Sequence, residues 1–135
     1  MSTMTFINLP VKDLAKTTEF FSALGFTFDP QFTDENATRM VVSDDTSVMF
    51  AAEPFFAGFV QPQTIADTSA SREVLVGFSA ASREEVDDRL AKASAAGAQV
   101  LGEPQDDGFM YMQGFRDLDG HQWSFIYMDM AAVGG

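Results

Sequence analysis

Apolar and polar positions change period several times along the chain, and the same succession of periods occurs twice. Thr5-Phe6-Ile7-Asn8-Leu9-Pro10-Val11 reads as a strand, rich in β-branched and aromatic residues. Asp13 stands where a helix cap is wanted, and Leu14, Thr17, Phe21 and Leu24 then share one helical face until Gly25 stops it. Phe26-Thr27-Phe28 opens a second strand. Arg39–Ser43 and Ser47–Ala51 pair as a hairpin around Asp44-Asp45-Thr46. The result is a β-α-β-β-β unit over residues 4–53.

The order recurs over residues 73–129. Glu73–Phe78 predicts a strand, and Ser82-Arg83-Glu84-Glu85 is a capping box just before Val86. Val86, Leu90 and Ala93 line the buried face of the helix, and Gly97 ends it. Gln99–Leu101, Phe109–Met112 and Gln122–Tyr127 complete the set, with Asp119-Gly120 as a hairpin turn. Asp13 to Gly25 spans the same separation as Glu85 to Gly97, so the chain reads as an internal duplication. Between the units, residues 54–72 predict a connector. It carries Phe55, Phe56 and Phe59, and two readings stay open: a lid over a ligand, or a linker whose rings plug the core. The tail, Met130–Gly135, is expected to fray.

Composition narrows the function. Fourteen Phe and eight Met in 135 residues mean either a Phe-rich core or an apolar ligand cavity. With no Cys there is no disulfide, thiolate nucleophile or Cys-held metal. Twenty Asp and Glu against eight Lys and Arg, a net charge of −12, argue against a nucleic-acid partner and favour a cationic small ligand. No apolar run is long enough to cross a bilayer, and Met1-Ser2-Thr3-Met4 lacks the features of a secretory signal, so a cytoplasmic protein is expected. No nucleophile elbow and no glycine-rich phosphate loop occurs.

Three stretches carry a resemblance. They are Asn8–Leu14 followed by Phe20–Phe26, then Ala95-Ala96-Gly97, then Phe115-Arg116-Asp117-Leu118-Asp119-Gly120-His121. Together they resemble the vicinal oxygen chelate superfamily of glyoxalase I, bleomycin-resistance proteins and extradiol dioxygenases. Gln31–Glu35, Glu53–Phe56 and Glu103–Asp106 are similar to a subgroup labelled predicted lactoylglutathione lyase. The resemblance implies an α+β fold of two tandem β-α-β-β-β units, their curved mixed sheets around a cleft, within a single domain spanning 1–135.

Enzymes of that superfamily hold a metal with His, Gln or Glu at four strand positions. Carried over by counting from the motifs, these fall on Phe6, Phe50, Leu75 and Ser124. Hydrocarbon side chains and one hydroxyl are not a ligand set, so no metal and no cofactor are expected. His121, the only histidine, is expected as a solvated turn residue, and Asp34-Glu35, Asp44-Asp45 and Asp106-Asp107 as turn carboxylates. Glu53 falls at the mouth of the cleft. The resulting expectation is a homodimer that binds a small, partly apolar organic ligand in an aromatic cleft. Its ligand-binding residues are Phe6, Asn8, Phe50, Glu53, Phe55, Phe59, Leu75, Tyr111 and Ser124. The alternatives are a metal-dependent lactoylglutathione lyase and a structural or regulatory protein with no ligand.

Overall fold

Both long helices start where their capping side chains predict. The Asp13 carboxylate accepts the Lys16 N–H at 3.0 Å and opens α1, Leu14–Ala23. The Ser82 hydroxyl accepts the Glu85 N–H at 3.1 Å and opens α3, Arg83–Ala95, while Glu85 reaches back to the Ala81 N–H. Gly25 and Gly97 end the two helices with φ of +102° and +110°, a sign that L side chains rarely adopt.

The computed structural model describes residues 3–133. Met1, Ser2, Gly134 and Gly135 lie outside the described residues, and with them part of what was expected of the N-terminus and tail. The chain parts into two compact units between Ala66 and Asp67. In the first, β1 (Thr5–Val11), β2 (Thr27–Asp29), β3 (Ala37–Val41) and β4 (Thr46–Ala52) form a sheet of order β1-β4-β3-β2. In the second, β5 (Leu75–Ser79), β6 (Gln99–Asp106), β7 (Met110–Arg116) and β8 (Gln122–Met128) form the order β5-β8-β7-β6. Each sheet has one parallel pair, β1 with β4 and β5 with β8, and is otherwise antiparallel. The α+β fold of two β-α-β-β-β units is therefore present as the duplication implied.

Each unit buries one face of its sheet beneath its own helix. In the first, Val11, Leu24, Met40, Val48 and Phe50 are fully buried, and Phe21 of α1 stacks on Phe50 with ring centroids 5.0 Å apart. In the second, Val86, Leu90 and Ala93 of α3 are buried, as are Phe78, Phe115, Trp123 and Phe125 on the sheet. Phe78 stacks on Trp123 at 5.4 Å. Burying an aromatic side chain is worth about 2–3 kcal/mol, so these clusters dominate the stability of each unit.

Three readings need correction. The segment of residues 54–72 opens within a helix that the sequence did not mark: Glu53–Val60 form α2, with Pro54 in its first turn, a place where the missing N–H costs nothing. Strand β6 runs five residues beyond Leu101, with its register shifting between Leu101 and Gln105. His121 is not solvated. It is 7% exposed, because Asp117 folds the turn inward. The Asp117 carboxylate accepts the N–H groups of Asp119 and His121 and the Trp123 indole N–H at 2.8 Å. Burial pushes the Asp117 carboxyl above the usual carboxylate range, and the adjacent His121 and the Trp123 hydrogen bond oppose that shift. The tail carries one helical turn, α4 (Met130–Val133).

Candidate functional site

Strand alternation sends successive side chains to opposite faces, so the face each helix leaves uncovered can be read from the burial pattern. In the first unit Val48 and Phe50 point to α1, which sends Met49 and Ala51 to the open face. There they line a cavity of about 430 Å³ with Asn8, Ala37, and Phe55, Phe56, Phe59 and Val60 of α2. Phe55 and Phe59 meet edge to face, with centroids 5.0 Å apart, and Phe59 remains 73% exposed. Helix α2 packs on β1 and β4 and forms one wall of this cavity.

Beside it on the same face lies a closed polar cluster. The Arg39 guanidinium donates to Ser47 Oγ at 2.8 Å and to Asp29 Oδ2 at 3.2 Å. It also lies over the rings of Phe6 and Phe32, at 5.7 and 5.3 Å from their centroids.

The open face of the second unit is different. A smaller cavity of about 200 Å³ is lined by Leu75, Leu101, Glu103, Gln105, Met112, Gln113, Gly114, Gln122, Trp123 and Ser124. The two sheets share order and register, so their positions correspond. Phe6 and Leu75 match, as do Asn8 and Gly77, Ser47 and Gln122, Met49 and Ser124, Arg39 and Gly114, Val41 and Arg116.

Of the nine residues expected to bind ligand, Asn8, Phe55 and Phe59 share the first cavity, and Leu75 and Ser124 share the second. Phe6 lies on the first open face under Arg39. Glu53 is the first residue of α2, where a carboxylate suits the positive helix end, and it does not line the cavity. Two expectations are overturned. Phe50 points to α1 and is fully buried; its match in the second unit is Phe125, and the open-face position on β4 is Met49. Tyr111 lies on the helix side of its sheet, where its hydroxyl donates to Asp87 Oδ1 at 2.7 Å and Arg83 covers its ring. Lining residues outside that set of nine are Met49 and Ala51, which flank Phe50, Phe56 of the Phe-rich segment, and the amides Gln105, Gln113 and Gln122.

The metal positions implied by the resemblance become Phe6, Met49, Leu75 and Ser124 once the register is corrected. Two hydrocarbons, a thioether and a hydroxyl do not fit a divalent cation of the kind that His and carboxylates hold. Among the described residues no group of three His, Cys, Asp or Glu is placed to hold one.

The twice-repeated unit and its open sheet faces define a recognisable class. Residues 3–125 match the family model of the glyoxalase/bleomycin resistance protein/dioxygenase superfamily, and the chain belongs to that superfamily. A hypothetical protein of S. aureus is 31% identical, with a TM-score of 0.79 over 94% of this chain and 95% of that one. A family enzyme of Burkholderia phytofirmans PsJN, 16% identical, has the same fold, with a TM-score of 0.77 over 94% of this chain and 99% of that one. So does a genomically encoded fosfomycin resistance protein of Listeria monocytogenes, 21% identical, with a TM-score of 0.66 over 94% and 93%. No curated protein matches the chain. Among the described residues no helix is long and apolar enough to cross a membrane.

Proposed function

We propose that the protein binds a small, partly apolar organic molecule in the cavity of the first unit, against the aromatic wall of α2 and without a metal ion. The observation that carries this reading is the cavity itself. Its roughly 430 Å³ falls within the range of small-molecule sites, its walls are Met49, Ala51, Phe55, Phe56, Phe59 and Val60, and Asn8 supplies one oriented polar group. Met and Phe adapt to flat apolar groups, and the net charge of −12 favours a neutral or cationic one. The reading includes a homodimer, since Phe59 at 73% and Leu75 at 66% exposure are apolar surface that a second copy would cover.

The test is a fluorescence titration of the full chain with N-phenyl-1-naphthylamine, a neutral aromatic probe. Saturable binding is expected, lost when Met49→Glu places a carboxylate on the cavity floor. Absence of saturation, or equal binding by the variant, would overturn the proposal. Light scattering on the same sample should give twice 14.7 kDa.

A further inference from the structure

The turn between β7 and β8 and its counterpart between β3 and β4 close with the same bond. Val42 N–H donates to the Thr46 carbonyl at 3.0 Å, and Asp117 N–H to the His121 carbonyl at 2.9 Å. Val41 matches Arg116 and Ser47 matches Gln122, so Val42 stands where Asp117 does and Thr46 where His121 does. One turn carries neutral residues at these two places and the other carries ionisable ones. Asp117 is 8% exposed and His121 7%. Burying ionisable groups costs stability unless they are paired, and here both fall in one turn.

The β7–β8 turn is also clasped from outside. Residues 67–72, which lead toward β5, form a closed turn of their own. Asp67 Oδ1 accepts the Ser69 N–H and hydroxyl, and the Asp67 carbonyl accepts the N–H groups of Ala70 and Ser71. From this turn the Thr68 hydroxyl donates to the Asp119 carbonyl at 2.7 Å. The Arg72 guanidinium donates to the Gly120 carbonyl at 2.7 Å and to the Thr68 carbonyl at 3.2 Å. Gly120 permits the approach, since a Cβ there would stand 2.7 Å from Thr68 Oγ1. The carbonyls of Asp119 and Gly120 lie in the stretch whose N–H groups, those of Asp119 and His121, the Asp117 carboxylate holds. The carboxylate therefore fixes the backbone that the clasp grips.

We infer that Asp117 and His121 form a pH-sensitive latch, which holds residues 67–72 on the β7–β8 turn while the pair keeps its proton and loosens them once the proton is lost. The charged groups about the carboxyl are His121 and Asp119 of its own turn, Arg116 before it on β7, and Arg72 across the Gly120 carbonyl. From β8 the neutral Trp123 indole donates to it. The end of α3 meets the turn through Gly97 and Leu118, which carry no charge. Burial raises the Asp117 carboxyl above its ordinary range and outweighs the opposing pull of His121 and of the N–H donors. A turn that opens to water returns the carboxyl to its ordinary value. Closure is therefore fully supported below that value, at about pH 4, and the support is lost as the pH rises through the raised one. Val42 and Thr46 do not titrate, so the matching turn of the first unit has no such response. The latch is independent of the ligand proposed for the first unit.

An NMR titration of the full chain between about pH 4.5 and 8, at constant ionic strength, tests it. Trp123 is the sole tryptophan, so its indole N–H resonance reports the Asp117 end, and the Thr68 and Arg72 amides report the clasp. All three should move together, with the same midpoints. Asp117→Asn should abolish the carboxyl step at all three. His121→Gln, which removes the positive neighbour, should raise the midpoint of that step by about half a pH unit or more. Thr68→Val removes one bond of the clasp from outside the turn and should lower it, because a turn less firmly held lies closer to its ordinary value. A Trp123 step that the Thr68 and Arg72 amides do not follow would overturn the inference. So would the absence of any step, its survival in Asp117→Asn, or a midpoint unmoved in both His121→Gln and Thr68→Val.

Discussion

Arg39 and Gly114 occupy matching places in two sheets of the same order and register, and they make the two open faces different in kind. In the first unit the guanidinium fills the space above β4, held by Asp29 and Ser47 and lying over the rings of Phe6 and Phe32. The cavity there is displaced toward α2, where its walls are aromatic and aliphatic. In the second unit the same place is a glycine, and the cavity opens directly over it, between amides and a hydroxyl. The helix-facing sides stay apolar and buried in both units: Val48 and Phe50 correspond to Trp123 and Phe125. Duplication has therefore kept the packed face apolar, with each unit refitting its own core around different volumes, and varied the chemistry of the open face.

The sharpest way to break this comparison is to exchange the roles of neighbouring residues on β4. Phe50→Ala removes a fully buried ring that stacks on Phe21, and we expect it to cost about 3–5 kcal/mol in urea unfolding. Met49→Ala, one residue away on the open face, should cost roughly 1 kcal/mol or less. If Met49→Ala proved the more damaging, the assignment of faces, and with it both cavities, would be wrong.

A smaller effect probes the Arg39 cluster. The Arg39 and Asp29 side chains are 15% and 23% exposed, so their pair is only partly screened, and the guanidinium also holds Ser47. Arg39→Ala should destabilise by about 1–2 kcal/mol. A double-mutant cycle with Asp29→Ala should show that the two losses do not add. It should also open, over Ser47, the space that Gly114 leaves over Gln122. Additive losses would mean that the pair does not hold the cluster together.

What the sequence could reveal follows the same division. The caps at Asp13 and Ser82, the stops at Gly25 and Gly97 and the repeated order of strands all rest on local backbone chemistry, and they were legible. The face of β4 was not, because Val48, Met49, Phe50 and Ala51 are all apolar and only their packing separates them. Counting from a motif put the ligand position on Phe50, where the register of the sheet puts it on Met49. Helix α2 was missed because Pro54-Phe55-Phe56 and Phe59 show no polar face to mark an amphipathic period, although Glu-Pro suits a first turn. His121 was read as solvated because a lone Asp-Gly turn says nothing of Asp117. That carboxylate gathers three N–H groups beneath the turn and carries His121 inward with them.

The smallest expected effect concerns Tyr111, which the comparison assigns to the packed side of the second unit and not to its cavity. Its hydrogen bond to Asp87 pushes the phenol above its ordinary value, with partial desolvation adding to the shift. A group whose pKa is raised on folding stabilises the protein fully below its unfolded value. That contribution is lost as the pH rises through the folded value. The contact with Asp87 thus stabilises at neutral pH and fails only in the alkaline range above about pH 10. Ultraviolet titration should show one of the two tyrosines ionising late, and Asp87→Asn should bring it back toward the ordinary range. Tyr111→Phe should leave near-neutral stability almost unchanged, since the side chain meets water at its edge. A Tyr111→Phe chain destabilised as much as Phe50→Ala would show that the phenol belongs to the interior of the packed side and not to its edge.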